Sequence, residues 1–237
     1  MKTKILEIFR SIQGEGQYAG VPQVFVRFYE CNMHCVWCDT PHSIGPLAKD
    51  HLKGASPRYI EKSVDDIFKE VSKLWDDAHS VSLTGGEPLL QVETIKKLIP
   101  QFKKARMPIY LETNGVLPKE LKAVIDGVDI VAMDIKLPSS TKWRPFWDEH
   151  KAFLKIAREK DVFIKTVVSS QTDTDDVFKA IDLVEAIDPE ILFILQPNTF
   201  DLQNGVMKKC LDYQKEGLKK LKNVRIMPQM HKFMKVR

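Results

Sequence analysis

The hydrophobic positions of this chain follow a helical period in some stretches and form short compact runs in others. After Ser63, apolar side chains recur every three or four residues as far as Trp75, which is the spacing of one helix face. Ser63 followed by Asp66 is typical of a helix N-cap. Short apolar runs, such as residues 80–84 and 162–168, indicate buried strands. The pattern predicts helices and strands in alternation.

This alternation continues to the end of the chain and predicts right-handed βαβ units with a parallel sheet. A nearly complete or an open (β/α) barrel accommodates about seven such strands, with a flavodoxin-like open sheet as the alternative. Residues 42–60 lack a usable period and are predicted to form an irregular loop. The predicted strands are Gln23–Tyr29, Ser80–Thr84, Pro108–Glu112, Asp129–Asp134, Val162–Val168, Ile191–Leu195 and Val224–Met227. The predicted helices, beyond the one after Ser63, are Gln91–Ala105, Pro118–Asp126, Arg144–Lys160, Thr174–Ile187 and Val206–Leu221.

Composition narrows the class of protein without deciding its function. The chain has 237 residues, 43% of them apolar, and no linker or repeat divides it, so residues 1–237 are predicted to form one domain. Its 36 basic and 32 acidic residues nearly balance, which gives no argument for nucleic acid or membrane partners. The chain lacks an apolar run long enough to span a bilayer and an N-terminal signal-peptide pattern, which predicts a cytoplasmic location.

Three of the four cysteines crowd into one short segment. Cys31, Cys35 and Cys38 place three soft thiolates on one loop, which suits an iron–sulfur cluster or a zinc ion. A structural zinc site normally has a fourth protein ligand, and the nearby histidines lie at no standard finger spacing. We therefore expect three thiolates and an open metal position. Cys210 is left over, and we expect it to be an inert core or helix-face thiol.

A second candidate site lies where a predicted strand ends. The segment Thr84-Gly85-Gly86-Glu87-Pro88 follows the strand directly, and parallel α/β folds place ligands at the carboxyl ends of their strands. Glycines allow another backbone or a ligand to approach closely. The backbone there and the Glu87 carboxylate would suit an ammonium group. On its own, a glycine pair in this position indicates a turn more often than a ligand site.

Together these two segments resemble the radical S-adenosylmethionine superfamily. The resemblance implies an α/β fold built as a partial (β/α) barrel with mostly parallel strands. It implies a [4Fe–4S] cluster on the three clustered cysteines and S-adenosylmethionine on its open iron, where reductive cleavage yields a 5′-deoxyadenosyl radical. It also implies that the cofactor lies on the strand ends, against Gly85, Gly86, Glu87, Glu112, Asp134, Lys136 and Gln196. For Gln196, a simple strand-ending turn has comparable weight.

The N-terminal segment Phe9–Gly16, the segment Gly20–Phe28, Cys38-Asp39-Thr40 and the C-terminal Pro228–Lys232 resemble 7-carboxy-7-deazaguanine synthases. These are carbon–nitrogen lyases that convert 6-carboxy-5,6,7,8-tetrahydropterin to 7-carboxy-7-deazaguanine with loss of ammonia, for queuosine and other 7-deazapurines. The resemblance implies Mg²⁺ on Thr40, a homodimer, and an electron donor such as flavodoxin or ferredoxin. No side chain is expected to act as the catalytic group, because the cofactor supplies the radical. The implied substrate contacts are Ile12, Gln13, Gly14, Glu15, Arg27, Thr84 and His231.

The chain departs from that family's pattern at one strand end. Where the family often has Ser-Pro-Lys, this sequence has Asp134-Ile135-Lys136, which is similar to glycyl-radical-enzyme activases and leaves the role of Asp134 open. An activase is therefore one alternative function, although the N-terminal region argues against it. The other alternative is a non-catalytic metal-binding interaction module, which would have no use for the Gly-Gly-Glu-Pro strand end.

Overall fold

The computed structural model describes residues 2–45 and 59–236. Within these residues the chain forms nine strands and eight helices. The strands are β1 Lys2–Ile12, β2 Pro22–Phe28, β3 Ile60–Ser63, β4 Ser80–Gly85, β5 Ile109–Thr113, β6 Ile130–Asp134, β7 Asp161–Val168, β8 Phe193–Pro197 and β9 Val224–Ile226. The helices are α1 Val64–Leu74, α2 Val92–Lys104, α3 Pro118–Lys122, α4 Pro138–Thr141, α5 Trp147–Ala157, α6 Thr174–Glu185, α7 Val206–Gly217 and α8 Met230–Met234.

All nine strands belong to one sheet, in the order β3-β1-β2-β4-β5-β6-β7-β8-β9. The seven strands from β2 to β9 in this order are parallel, and they are the seven strands that the sequence predicted. Neighbours among these seven parallel strands follow the order of the chain without a reversal. A flavodoxin-like sheet reverses its strand order at a switch point, so that alternative is excluded and the partial (β/α) barrel is confirmed.

The prediction of α1 is confirmed together with its N-cap. Ser63 and Asp66 form a capping box, in which the Asp66 N–H donates to Ser63 Oγ at 3.1 Å and the Ser63 N–H donates to Asp66 Oδ2 at 3.3 Å. Two donors of the first turn are thereby satisfied. Ile67 and Val71 are fully buried against the sheet, as the helical period requires.

Two layers of side chains pack on opposite faces of the parallel strands. Alternate strand residues, such as Leu83, Leu111 and Val131, point towards the helices and form the large outer core. The inner face carries a smaller cluster, in which Tyr110 and Phe163 lie with ring centroids 6.3 Å apart. On this inner face, polar side chains occupy the positions beyond the cluster, towards the carboxyl ends of the strands.

Four elements were not predicted from the sequence. The strand β1 pairs antiparallel with both β2 and β3, with an irregularity between Ile5 and Glu7 that interrupts the alternation of buried residues. The strand β3 has only four residues, and its Ile60 is exposed, so it has no hydrophobic pattern. The helices α4 and α8 are single turns, shorter than the window in which a helical period can be recognised.

The predicted irregular loop at residues 42–60 is only partly described. Residues 41–43 form a short 3₁₀ turn and β3 begins at Ile60, whereas residues 46–58 lie outside the described part of the chain. None of the described helices has the length and apolar character that crossing a membrane requires.

Candidate active site

One inward-facing polar side chain lies in the carboxyl-terminal half of each of six adjacent parallel strands. Since successive strand residues point to opposite faces, these side chains alternate with the residues of the outer core. All of them line a single cavity of about 350 Å³, which is in the range of small-molecule sites. We call this set the polar ring. The strands β2, β4, β5, β6, β7 and β8 contribute one residue each, in this order: Arg27, Thr84, Glu112, Asp134, Lys165 and Gln196.

The three clustered cysteines lie on the loop that follows β2, and their side chains line the same cavity. The Cys31 N–H donates to Ile44 O at 3.2 Å, and the Cys38 N–H donates to Cys35 O at 3.0 Å. Burial raises the pKa of the Cys31 thiol to about 12 and that of the Cys35 thiol to about 11. A bound cation is therefore what would hold these groups as thiolates.

No fourth protein ligand accompanies the thiols in the part of the chain that the structure describes. In residues 2–45 and 59–236, one group of acidic and histidine side chains has ligand atoms close enough to share an ion. It consists of Glu15, Asp39 and His231 and contains no cysteine. Cys210 is buried on α7 in the outer core. The donor set does not fit a closed zinc site, whereas three thiols at a cavity fit a cluster with one open iron.

Two tryptophans fix the cysteine loop to the segment after β6. The Trp37 Nε1–H donates to Ser140 Oγ at 2.8 Å, and the Trp143 Nε1–H donates to the carbonyl oxygen of His34 at 2.8 Å. The Lys136 ammonium lies 4.8 Å from the centroid of the Trp37 ring. Trp37 also lines the cavity, so its ring covers this part of the cysteine loop.

The glycine pair after β4 allows a close approach of two backbones. Gly85 has φ +135°, and a Cβ atom there would lie 2.2 Å from the carbonyl oxygen of Phe28 on β2. A Cβ atom on Gly86 would lie 2.2 Å from the carbonyl oxygen of Glu30, next to the first cysteine. Both glycines line the cavity, so this strip of backbone is open to a ligand while it holds the cysteine loop against β4.

Glu87 does not lie where the sequence suggested. Its side chain is fully buried and does not line the cavity. Oε2 accepts the Asn114 N–H at 2.8 Å, and Oε1 accepts the Leu89 N–H at 3.1 Å and the Thr113 hydroxyl at 2.9 Å. The geometry does not support the expectation that this carboxylate receives an ammonium group directly. Instead, Glu87 joins the end of β4 to the end of β5.

Replacing Glu87 with glutamine is expected to lower the free energy of unfolding by about 2 kcal/mol. In either orientation, the NH₂ group of the new amide would face the Asn114 N–H or the Leu89 N–H. Buried donors would then remain without an acceptor. Burial raises the pKa of Glu87 to about 7, so denaturant unfolding is measured above pH 8. Glu93→Gln is the control, because Glu93 pairs only at the surface, with Lys96. Equal stabilities of the two variants would contradict the role of Glu87.

Gln13 is the centre of a buried network that includes both predicted ligand regions. Its Nε2 donates to Gln23 Oε1 at 2.9 Å and to Glu112 Oε1 at 2.7 Å. Thr84 Oγ1 donates to the other oxygen of Glu112 at 2.7 Å. Gln13 and Thr84 were expected on the substrate and Glu112 on the cofactor, but their side chains hold one another. This wall of the cavity therefore acts as a unit.

Two carboxylates and two lysines form a second network beside it. Lys165 is ion-paired with Glu15 and lies 3.7 Å from Asp134 Oδ2, which also accepts the Lys136 ammonium at 2.8 Å. Burial alone would raise the pKa of Glu15, but the Lys165 ammonium holds it at about 2. Burial would lower the pKa values of both lysines, and the carboxylates raise them. Glu15 and the two lysines are therefore charged at neutral pH.

The C-terminal segment closes the cavity over the N-terminal motif. The Met230 N–H donates to the carbonyl oxygen of Gly14 at 2.8 Å, and a Cβ atom on Gly14 would lie 2.2 Å from Nδ1 of His231. Gln229 Nε2 donates to Glu15 Oε1 at 2.6 Å and to Asp39 Oδ2 at 2.8 Å. Gly14, Glu15 and His231 thus line one cavity.

Arg27 and Thr40 lie at the remaining edges of the cavity, as does Ile12. The Arg27 Nε–H donates to Glu7 Oε1 at 3.0 Å, and its guanidinium lies 5.7 Å from the centroid of the Phe9 ring. Thr40 Oγ1 donates to Asp39 Oδ1 at 3.1 Å. The structure therefore brings every predicted site residue except Glu87 to one cavity.

Two buried acceptors in the polar ring have no partner among residues 2–45 and 59–236. Asp134 Oδ1 and Gln196 Oε1 lack a hydrogen bond there, although burying such an atom costs about 1–3 kcal/mol unless a donor satisfies it. Both residues line the cavity, so a ligand with hydroxyl or amine donors fits there. With the Gly85-Gly86 strip and the three thiols, these atoms fit S-adenosylmethionine on an open iron.

Several residues of the cavity were not predicted from the sequence. Lys165 is a charged residue at an inward position of the otherwise mostly apolar strand β7. Its charge within this strand could have indicated a site residue. Gln229 belongs to the C-terminal segment Pro228–Lys232 and precedes His231 by two residues. Asn114 Nδ2 donates to Asn32 Oδ1 at 2.7 Å, a contact between distant segments that no local pattern reveals.

Comparison with known proteins gives a consistent result. The model of the radical SAM superfamily matches residues 25–184. A 7-carboxy-7-deazaguanine synthase of Geobacter sulfurreducens is 37% identical, over 96% of this chain and 95% of that protein. One of Archaeoglobus fulgidus is 35% identical over the full length of both. The crystal structure of QueE from Escherichia coli has a TM-score of 0.65 at 22% identity, covering 98% of this chain and 95% of that one. The chain therefore belongs to the radical SAM superfamily and, within it, to the family of 7-carboxy-7-deazaguanine synthases.

Proposed function

We propose that this protein converts 6-carboxy-5,6,7,8-tetrahydropterin to 7-carboxy-7-deazaguanine with loss of ammonia. One observation carries the proposal: the N-terminal motif around Gln13 and Glu15 and the C-terminal segment around His231 enclose the cavity on which the three clustered thiols open. A radical generated at the thiols would therefore form beside a polar pocket of small-molecule size.

The residues that suit the cofactors form one side of the cavity. Cys31, Cys35 and Cys38 would hold the [4Fe–4S] cluster. Gly85 and Gly86 would face S-adenosylmethionine with their backbone, and the remaining contacts would come from side chains at the strand ends. When bound, these cofactors supply the radical chemistry that removes a hydrogen atom from the substrate. The proposed side-chain contacts to the cofactor are Glu112, Asp134, Lys136 and Gln196.

The rest of the cavity lining suits a carboxylated pterin. The ionised Glu15 is an acceptor for the N–H groups of the pyrimidine ring. The Arg27 guanidinium, already oriented by Glu7, is suited to the carboxylate. The C-terminal segment at His231 would exclude water from the bound ring and hold it for the rearrangement. Ile12, Gln13, Gly14 and Thr84 complete this proposed substrate side.

We propose that Thr40, which lines the cavity, is the ligand for Mg²⁺. Hard oxygen ligands and a carboxylated substrate suit this cation, which keeps several waters. The Asp39 carboxylate accepts a hydrogen bond from the Thr40 hydroxyl and lies within 4.8 Å of ligand atoms of Glu15 and His231. Oxygen donors are therefore concentrated where the substrate carboxylate would complete the site.

The remaining parts of the proposal concern the protein as a whole. We propose one domain over residues 1–237, a homodimer in the cytoplasm, and reduction by a flavodoxin or ferredoxin. Exposed apolar side chains such as Phe200, Leu211 and Phe233 near the C-terminus would suit a partner surface. The activase alternative loses its support, because Asp134 is accounted for by its pairing with Lys136 and Lys165.

The proposed reaction is tested anaerobically with the reconstituted protein. Reductant, S-adenosylmethionine, Mg²⁺ and 6-carboxy-5,6,7,8-tetrahydropterin are supplied, and the expected result is 7-carboxy-7-deazaguanine by mass spectrometry with one ammonia per product. An assay without S-adenosylmethionine is the control. Formation of 5′-deoxyadenosine without the deazaguanine would overturn the substrate assignment, and zinc in place of iron in the purified protein would overturn the radical reaction itself.

A further inference from the structure

Lys165 occupies a central position in the cavity that no motif assigns. It is the inward residue in the middle of β7, and its side chain is only 18% exposed. Its ammonium contacts two carboxylates from distant parts of the chain, Glu15 of the N-terminal motif and Asp134 at the end of β6. The proposed function assigns Glu15 to the substrate and Asp134 to the cofactor.

The N-terminal motif does not depend on Lys165 for its backbone. The Gln13 N–H donates to Val21 O at 2.8 Å, and the Gly20 N–H returns a bond to Gln13 O at 2.7 Å. The Gly14 carbonyl is held by Met230. Lys165 holds the carboxylate of Glu15, whose other oxygen accepts a hydrogen bond from the neutral Gln229 amide. The His231 ring lies within 4.8 Å of the same carboxylate. Lys165 is thus the cation that compensates this largely buried negative charge.

The link to Asp134 gives Lys165 a second constraint. Asp134 Oδ2 is shared between Lys136 and Lys165, while its Oδ1 has no partner and belongs to the cavity wall. The side chain of Lys165 is therefore fixed at its charged end from both directions. These contacts direct the Lys165 ammonium towards the Glu15 carboxylate.

We propose that Lys165 is a positioning residue for the pterin: it holds the Glu15 carboxylate ionised and oriented to accept the N–H groups of the pyrimidine ring. The inference rests on the proposed function and adds to it the residue that fixes the substrate acceptor. Lys165 needs no contact with the reacting atoms for this role. Its loss should affect the pterin more than the cleavage of S-adenosylmethionine, because Asp134 keeps its closer partner Lys136.

The test is a double-mutant cycle with Lys165→Met and Glu15→Gln. We expect Lys165→Met to weaken binding of 6-carboxypterin, followed by fluorescence, and to raise the KM for the reduced substrate by about 10- to 100-fold, the range of a charge-assisted contact. The kcat should change much less than KM. In the Glu15→Gln protein, Lys165→Met should have almost no further effect, because its partner is already neutral.

Lys62→Met is the matched control, because Lys62 is also ion-paired, with Glu70, and its side chain is 21% exposed, but it lies away from the cavity. Lys165→Arg, which keeps the cation, should recover most of the pterin affinity and serves if Lys165→Met does not fold. Additive effects in the cycle, or an unchanged KM in Lys165→Met, would overturn the inference while the wild-type reaction stands. A wild-type protein that neither binds nor converts the pterin would overturn the proposed function instead.

Discussion

The Cys35→Ala variant is expected to lose at least about a thousandfold in turnover, since removing a cluster ligand should exceed the ten- to hundredfold that residues behind the ligands cost. The fold should survive. Cys35 packs beside Met33, Val116 and Phe146 in a small cluster separate from the outer core, so the lost side-chain volume should cost only about 1 kcal/mol. The measurement is iron per chain after anaerobic reconstitution, together with the rate of 5′-deoxyadenosine formation.

Cys210→Ala provides the opposite control. Cys210 is fully buried in the outer core on α7, so its replacement should lower the free energy of unfolding while iron content and 5′-deoxyadenosine formation remain at the wild-type level. Each variant is thus expected to lose one property and keep the other. If Cys35→Ala kept its iron and its turnover, the cluster assignment would fail.

The parallel part of the sheet could be predicted from the sequence because each strand buries both of its faces over most of its length. Runs such as residues 162–168 are therefore strongly hydrophobic and are bounded by helices with a clear period. The antiparallel edge could not be predicted in the same way. In β1, charged residues such as Lys4 and Arg10 alternate with apolar ones on an irregular register, and the pairing with β2 and β3 decides the structure.

The candidate site was predictable where chemistry and local spacing coincide, as for the three clustered cysteines and the glycine pair. The resemblance to known enzymes supplied Gln13, Arg27 and His231, which spacing alone would not have selected. What local sequence could not give is the pairing of distant side chains. The bonds of Glu87 to the end of β5 turn an expected ligand into an internal brace, and the pairing of Lys165 with Glu15 joins residues 150 positions apart.

The Gly85→Ala variant is expected to lose about 3–5 kcal/mol of unfolding free energy, at the upper end of single substitutions. Two physical causes combine at this position. Its φ of +135° is strained for any residue with a Cβ, and that atom would lie 2.2 Å from the carbonyl oxygen and 2.5 Å from the amide nitrogen of Phe28. Phe28 pairs with Gly85 across β2 and β4, so neither backbone can move without opening the sheet.

Gly20→Ala separates the two causes, because Gly20 also has a positive φ, +98°, but nothing lies within 4 Å of the added Cβ. This control should lose only about 1–2 kcal/mol from the backbone conformation. The excess loss in Gly85→Ala then measures the close approach of β4 to β2. Because the cysteine loop follows β2 directly, we also expect Gly85→Ala, and not Gly20→Ala, to bind less iron. Equal losses of stability in the two variants, measured by denaturant unfolding, would show that the close approach does not constrain this end of the sheet.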